Sequence, residues 1–243
     1  LNMQQLPRDN PTVKGCIKAS EGHKIVAMDL TTAEVYVAAV LAKDTALMDV
    51  FKSGGNFHST IAHRVFRLPC KVEEVVDLYP DRRQAAKAVT FGIMYGAGPA
   101  KISEQVTKDS GKYFSKQEAT EVIKDYFGAF HKLKAWIDDN QKFIQQNGFV
   151  YSFFGRKRRL PNVASTDAGV RSHSIRSGLN FLVQSTASDI NLLGAIDMGA
   201  YIKANNMKSR IFALVHDSIL AEVPEDEIEH YSEKLLHFVQ LDR

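Results

Sequence analysis

Two apolar segments of strand character lie near opposite ends of this chain, and a long stretch of helical periodicity separates them. The first is HKIVAMD at 23–29, and the second is RIFALVHDSILAEV at 210–223, which predicts a hairpin with its turn at His216-Asp217. Residues 151–171 are predicted to form a loop. The predicted helices are 31–41, 81–95, 117–127, 133–146, 176–201 and 226–239. A sheet assembled from both ends of the chain, with a helical insertion between them, predicts an α+β fold.

The composition is that of a globular protein: of 243 residues, 44% are hydrophobic and 24% are charged. The two cysteines, Cys16 and Cys70, are too few for a disulfide scaffold and suit either a reducing compartment or a protein that is indifferent to redox conditions. No apolar run approaches the roughly 20 residues of a membrane helix, and the polar start of the chain contains no signal-peptide core. The net charge of +3 is compatible with a nucleic-acid partner. We therefore expect a cytoplasmic protein with no membrane partner.

Two acidic residues stand where a charge is costly unless it faces a cleft or a cation. Asp29 ends the first apolar strand, and Asp217 lies at the predicted hairpin turn. Two such carboxylates at the edge of a sheet are the ligands that a pair of Mg²⁺ ions requires. The alternative is purely structural, with Asp29 as a helix cap and Asp217 as an ordinary turn residue.

The predicted helix 81–95 carries a stripe of residues at intervals of four: Arg83, Lys87, Phe91 and Tyr95. Cations near the N-terminal end of a helix favour phosphate, and aromatic rings farther along can stack on a sugar and a base. The alternative is an amphipathic helix with a solvated basic face. A glycine follows each aromatic residue, which weakens a helix and favours close approach of a ligand. The stripe therefore matches a nucleoside triphosphate laid lengthwise along the helix.

Two further features carry polar chemistry. Arg176, Asn180 and Gln184 repeat at intervals of four, which places long polar side chains on one helical face, suited to DNA or simply to solvent. The sequence RKRR at 156–159 is the densest basic block in the chain.

In this order, DLTTAE at 29–34, RQAAKAVTFGIMYG at 83–96 and VHDS at 215–218 resemble motifs A, B and C of family A DNA polymerases, the polymerase I family. The residues R…N…Q at 176–184 match a further helix of that family, and NMQQLPR at 2–8 and GFVYSFFGRKRRLP at 148–161 also fall where the family has similar stretches. The segment YGAGPAKISEQV at 95–106 resembles phage-type members. The resemblance implies the right-hand polymerase fold, with a palm at 1–50 and 172–243 and a helical fingers insertion at 51–171, without a thumb or an exonuclease domain.

The resemblance also implies roles for individual residues. Asp29, Asp217 and the backbone carbonyl of Leu30 would bind two Mg²⁺ ions, for which Mn²⁺ could substitute, and Lys87 would protonate the leaving pyrophosphate. The residues that it places at the incoming nucleotide are Glu34, His58, Arg83, Lys87, Phe91 and Tyr95. The residues that it places on template or primer are Arg8, Arg176, Asn180, Gln184 and His216.

Two departures from the family pattern keep other activities open. Tyr36 stands where motif A usually has arginine, and Ser218 stands where motif C usually has glutamate. His-Asp-Ser is also the pattern of single-subunit, phage-type RNA polymerases, although Glu34 argues against an enzyme that must admit a 2′-hydroxyl. A non-catalytic DNA-binding subunit is the alternative from another class.

The implied reaction adds deoxynucleotides to a primer 3′-hydroxyl and releases pyrophosphate. The expected partners are primer-template DNA, deoxynucleoside triphosphates and an N-terminal chain or domain that carries a thumb and an exonuclease. The expected location is the cytoplasm of a bacterium or of a phage-infected host.

Overall fold

The computed structural model describes residues 12, 15–30, 32–54 and 56–241 of the chain. Its strands are β1 (His23–Asp29), β2 (Phe149–Tyr151), β3 (Lys157–Arg159), β4 (Arg210–Val215) and β5 (Ser218–Pro224). Its α-helices are α1 (Ala33–Leu41), α2 (Thr45–Lys52), α3 (Phe57–Phe66), α4 (Val75–Leu78), α5 (Pro80–Met94), α6 (Pro99–Ser110), α7 (Lys116–Ala129), α8 (His131–Asn147), α9 (Ala168–Ala204) and α10 (Ile228–Val239). Short 3₁₀ turns cover Val72–Glu74, Pro161–Ala164 and Glu225–Glu227. The α+β prediction is confirmed.

The chain forms two compact units, one made of residues 1–33 and 187–243 and the other of residues 34–186. The first unit is therefore assembled from the two ends of the chain, as the placement of the apolar strands predicts. The divisions fall at the start of α1 and within α9, whereas the predicted palm and fingers boundaries are 50/51 and 171/172. The naming of the units as palm and fingers stays a prediction.

The first unit contains a three-stranded antiparallel sheet in the order β1-β5-β4. Alternate residues of the central strand β5, Ile219, Ala221 and Val223, are buried because they face the helices of this unit. They pack in one cluster with Met198 of α9 and with Tyr231 of α10. This alternation fixes the strand register, because a slip of one residue would turn the apolar side chains to the other face.

The second unit is helical and holds the larger core. Its fully buried large side chains include Tyr126, Phe130 and Leu133, at the junction of α7 and α8, and Ile61 of α3. A short second sheet pairs β2 with β3. No helix in the described part of the chain combines the length and the apolar character that crossing a bilayer requires.

The prediction of a loop at 151–171 is wrong in two places. Residues 157–159 of the basic block form β3, which pairs with β2, and α9 begins at Ala168. Three consecutive basic residues give no local signal of a strand. This strand forms because it pairs with β2, not because its own residues are apolar. The early start of α9 has a local signal, since the Asp167 carboxylate accepts hydrogen bonds from the amides of Gly169 and Val170.

Candidate active site

The strand pairing of the first unit brings the two predicted metal ligands to one end of the sheet. Asp29, the last residue of β1, lies directly opposite Ser218, which follows Asp217 in the chain. The Ser218 hydroxyl donates a hydrogen bond of 2.6 Å to Asp29 Oδ1. The Leu30 amide reaches the Asp217 carbonyl oxygen at 3.4 Å. Both carboxylates are exposed and lie away from the buried face of β5.

The hairpin turn is formed as predicted by His216 and Asp217. His216 has a φ of +54°, a left-handed conformation that a non-glycine residue adopts at a cost of roughly 1–3 kcal/mol. The sharp turn ends β4 at Val215 and starts β5 at Ser218, so that Asp217 is presented at the sheet end beside Asp29. The His216 side chain is exposed.

The donor set at this sheet end fits Mg²⁺. In the described ranges, no group of three or more His, Cys, Asp or Glu side chains forms a metal-binding cluster. Mg²⁺ does not need such a cluster, because it is usually held by one or two carboxylates together with water and substrate phosphates. Two carboxylates that open to solvent, with the Leu30 carbonyl beside them in sequence, meet that requirement.

In the second unit, four of the predicted residues line one cavity of about 660 Å³: Lys87, Phe91, Tyr95 and Arg176. This volume lies within the roughly 300–1,000 Å³ of typical ligand pockets. One wall is the face of α5 that carries the stripe at intervals of four, and another comes from α6. The structure therefore gathers side chains from α5 and α9 that the sequence could only place on separate helical faces.

His58 lies beside the same stripe. Its ring centroid is 5.5 Å from that of Phe91. Burial, with the nearby positive charges of Lys87 and Arg83, lowers the pKa of His58 from 6.5 to about 4. The buried Nδ1 atom of His58 has no hydrogen-bond partner in the described part of the chain. The lowered pKa keeps His58 neutral at pH 7, and its Nδ1 is both buried and without a partner among the described residues.

Arg83 is held by two side chains at the start of α3. Its Nε donates to Ser59 Oγ and its Nη2 to Asn56 Oδ1, each at 3.3 Å. Asn56 also caps α3 by accepting from the Ser59 amide. Neither partner was predicted from the sequence, although an asparagine two residues before His58 is a recognisable cap signal.

Gly92 of α5 and Gly96, which follows its C-cap, have structural roles that the sequence pattern did not indicate. At Gly92 a Cβ would lie 3.0 Å from Ile102 Cγ1, so this glycine lets α6 pack closely on α5. Gly96, at φ +66°, ends α5 in a Schellman motif, in which the Ala97 amide donates to Gly92 O and the Gly96 amide to Ile93 O. A Cβ at Gly96 would lie 2.6 Å from Arg176 Cγ and Cδ. Both glycines thus allow close packing between segments of this chain, and both also line the cavity.

The three predicted DNA-binding residues of α9 differ in their exposure to solvent. Arg176 is half-buried and donates to Ser172 Oγ at 2.6 Å. Asn180 is half-buried, and its Oδ1 has no partner among the described residues. Gln184 is exposed.

The remaining predicted residues have the following places. Glu34 is half-buried in the first turn of α1. Tyr36, which replaces the usual arginine, packs edge-on against Phe51 with ring centroids 5.1 Å apart. Arg8 lies outside the described residues.

The cavity also has a polar wall that the sequence analysis missed. Lys101, Gln105 and Asp109 project from α6 into it. Asp109 accepts from Gln105 Nε2 at 2.8 Å and from Gln84 Nε2 of α5 at 2.9 Å, which links the two helices. These residues repeat at intervals of four along α6, and that period was the available signal.

Two curated DNA polymerases are similar to this chain over almost its whole length. The DNA polymerase of Escherichia phage T5 is 47% identical to this chain, over 100% of the chain and 31% of the phage protein. The thermostable DNA polymerase I of Thermus aquaticus is 31% identical, over 94% of the chain and 26% of the bacterial protein. The chain thus spans less than a third of the length of these relatives. The higher identity to the phage protein agrees with the predicted phage-type resemblance.

A solved structure and a family model agree with these relatives. The POL domain of Pol1 from M. smegmatis, solved in complex with DNA primer-template and dNTP, superposes with a TM-score of 0.83 at 27% identity, over 98% of this chain and 41% of that one. The model of DNA polymerase family A matches residues 1–241. The resemblance found in the three spaced motifs is therefore confirmed, and this chain belongs to DNA polymerase family A.

Proposed function

We propose that this chain catalyses template-directed transfer of a deoxynucleotidyl group to a primer 3′-hydroxyl. The observation that carries the proposal is the strand register that sets Asp29 opposite Ser218 and so places the Asp29 and Asp217 carboxylates at one sheet end. Two acids that arrive from strands far apart in sequence have no evident structural need to meet there. One cavity is lined by Lys87, Phe91 and Tyr95, which are assigned to the incoming nucleotide, and by Arg176, which is assigned to DNA, and this supports the same conclusion.

The reaction is an in-line displacement: the primer 3′-hydroxyl loses its proton to water, its oxygen forms a bond to the α-phosphorus, and the bond from that phosphorus to the bridging oxygen breaks. Asp29, Asp217 and the Leu30 carbonyl would hold two Mg²⁺ ions, which when bound stabilise negative charge at the phosphoryl group. Arg83 and His58 would orient the phosphates, and Lys87 would give a proton to the departing pyrophosphate. Phe91 would pack on the sugar, Tyr95 would stack near the templating base, and Glu34 would lie beside C2′ and exclude a ribose hydroxyl.

We assign the contacts with DNA to α9 and to the turn between β4 and β5. Arg176, Asn180, Gln184 and His216 would hold template and primer by hydrogen bonds and phosphate contacts. A thumb and an exonuclease, supplied by a preceding segment or by a partner chain, are part of the proposal. The fact that the chain spans 31% of the phage T5 polymerase supports that part.

The test replaces each proposed metal ligand in turn, as Asp29→Asn and Asp217→Asn. Single-turnover extension of a labelled primer should slow at least about a hundredfold, because several kcal/mol of charge stabilisation is lost. Binding of primer-template should change little, since the proposed DNA contacts are other residues. The matched control is Asp226→Asn, which removes an exposed acid of the same unit and should leave the rate unchanged.

Either variant with a near-normal rate would show that its aspartate is structural. A parallel reaction with ribonucleotides tests the RNA polymerase alternative, for which the observation is Ser218 in the His-Asp-Ser sequence. Binding without any extension by the unmodified chain would instead support the non-catalytic DNA-binding subunit.

A further inference from the structure

The hairpin of β2 and β3 carries a basic and aromatic surface that the proposed chemistry does not use. The strand register pairs Phe149 with Arg159 and Tyr151 with Lys157. Directly opposed residues share a face of an antiparallel pair, so these four side chains project from one side of the hairpin. Phe143 of α8 joins them, with its ring centroid 5.8 Å from that of Phe149. We call Phe143, Phe149, Tyr151, Lys157 and Arg159 the hairpin face.

Rings and cations are interleaved on the hairpin face. Lys157 Nζ lies 4.0 Å from the ring centroid of Phe149 and 5.3 Å from that of Tyr151. Lys157 and Arg159 are exposed, and the Tyr151 side chain is 51% exposed. Among the described residues, no carboxylate forms an ion pair with Lys157 or Arg159. The face therefore presents uncompensated positive charge beside open aromatic surface.

The tip of the hairpin continues this surface with two more rings. Phe153 is 63% exposed, and its centroid lies 5.3 Å from that of Phe154. The tip is an ordered turn, because the Ser152 amide donates to Arg156 O and the Gly155 amide to Ser152 O, each at 2.9 Å. Adjacent exposed phenylalanines on an ordered turn are costly in water, which indicates a surface that contacts a ligand.

The opposite side of the hairpin is fixed to α9 next to the proposed template contact. Val150 is buried, and its partner Arg158 donates to Ser177 Oγ at 2.8 Å and lies over the Phe181 ring. Ser177 directly follows Arg176. Because Arg176 packs against Gly96, the residue after Tyr95, a continuous series of contacts joins the proposed templating position to the hairpin.

We propose that the hairpin face binds single-stranded DNA, specifically the template strand 5′ of the templating base. Exposed rings can stack only on bases whose faces are open, and duplex bases are already stacked on one another. The unpaired cations supply the phosphate contacts, and these hold the backbone without reading sequence. The assignment to the template strand, unlike the single-strand binding itself, rests on the proposed function of Tyr95 and Arg176.

The experiment measures binding of fluorescent primer-template by this chain, with a template overhang of either a single nucleotide or about ten nucleotides, close to the site sizes of single-strand-binding folds. The test variant is Tyr151→Ser/Lys157→Gln. The matched control is Tyr113→Ser/Lys124→Gln, which makes the same changes at an exposed tyrosine and an exposed lysine of the same unit. Arg159→Gln and Phe153→Ser are milder single variants for use if the double variant loses its fold.

The unmodified chain and the matched control should bind the long overhang at least about fivefold more tightly than the short one, and the test variant should lose that difference. Affinity for the short overhang should not change, which would show that the duplex site is intact. A test variant that keeps the dependence on overhang length overturns the proposal.

A third substrate, with a displaced non-template strand, distinguishes the source of the single strand. A loss confined to that substrate overturns the assignment to the template. An oligodeoxynucleotide alone separates this proposal from the proposed function. If the unmodified chain binds the oligodeoxynucleotide and the test variant does not, the hairpin face binds single strands even where primer extension fails. If both bind equally, the hairpin face is not the site.

Discussion

The His58 side chain is placed so that a bound anion would change its protonation. Neutral imidazole is the stable form because the ring is largely buried and because Lys87 and Arg83 repel a third positive charge. The triphosphate of the proposed reaction would supply the opposite charge and so raise the pKa of His58. An unpaired buried nitrogen is unfavourable in the free chain, so an anion that reaches Nδ1 would remove that cost.

The pH dependence of stability tests this environment. The unfolded chain takes up a proton at His58 below pH 6.5 and the folded chain only near pH 4, so the free energy of unfolding should fall as the pH falls through that window. The contribution is on the order of 1–2 kcal/mol after allowance for solvent screening. His58→Gln should flatten this part of the profile when urea unfolding is compared at pH 5 and pH 7.5. An unchanged slope in the variant would assign the pH dependence to other groups.

Ser218 donates a single hydrogen bond to Asp29, a proposed metal ligand. Its hydroxyl fixes the Asp29 carboxylate at 2.6 Å, a contact that Ser218→Ala removes and Ser218→Thr keeps. We expect the alanine variant to need about fivefold more Mg²⁺ for half-maximal extension, since an exposed hydrogen bond to a charged group contributes about 1 kcal/mol. A magnesium titration of the three proteins decides between this outcome and identical curves, which would leave Ser218 without a positioning role.

At the scale of elements, the end of α5 and the first third of α9 pack against each other. The Schellman turn at Gly96 stops α5 after Tyr95, and the same residue leaves room for the Arg176 stem. A side chain at this position would meet both a left-handed backbone and the arginine, so a single glycine sets the conformation of a helix end and the position of a proposed DNA contact.

Gly96→Ala should therefore weaken primer-template binding through Arg176. The left-handed backbone costs an alanine about 1–2 kcal/mol, and the added Cβ displaces the arginine from Ser172. Gly98→Ala is the matched control, because that glycine has a φ of −84° and nothing within 4 Å of its Cβ position. In a double-mutant cycle, adding Gly96→Ala to Arg176→Ala should cause little further loss of affinity. If the losses of affinity from the two substitutions add in full, Gly96 does not act through Arg176, and the prediction is contradicted.

At the scale of the whole molecule, the helical unit depends on contacts between segments distant in the chain. Asp44 is 1% exposed and accepts hydrogen bonds from the Leu47 amide at 3.1 Å and from the Leu133 amide at 3.0 Å. It therefore caps α2 and also satisfies an amide in the first turn of α8, where helix geometry leaves donors without partners.

Asp44→Ala should lower the free energy of unfolding by about 2–4 kcal/mol, because it removes a cap and leaves a buried amide unpaired. Asp44→Asn should cost less, because the amide oxygen still serves one of the two donors. Urea denaturation measures both, and Asp49→Ala, at an exposed acid of α2, should stay within about 0.5 kcal/mol of the original chain. Equal effects at the two positions would contradict the bridging role of Asp44.

The sequence alone predicted the strand regions of the first unit and six of the helices, but not α2, α3, α4 or α6. The end of β1 at Asp29, the turn at His216-Asp217 and the stripe on α5 follow from local periodicity and turn chemistry, which involve only neighbouring residues. The loop predicted at 151–171 failed because β3 exists only through its pairing with β2. A local pattern cannot show a partner strand.

Tertiary structure decided which of these residues meet. The hydrogen bond from Ser218 to Asp29 joins residues 189 positions apart, and it exists because the buried face of β5 fixes the register with β1. The cavity around Phe91, the room that Gly96 leaves for Arg176 and the anchoring of Arg158 on Ser177 likewise depend on how helices and strands pack. Such contacts are set by side-chain volume and strand pairing across the fold, which the order of residues constrains only after the whole unit has packed.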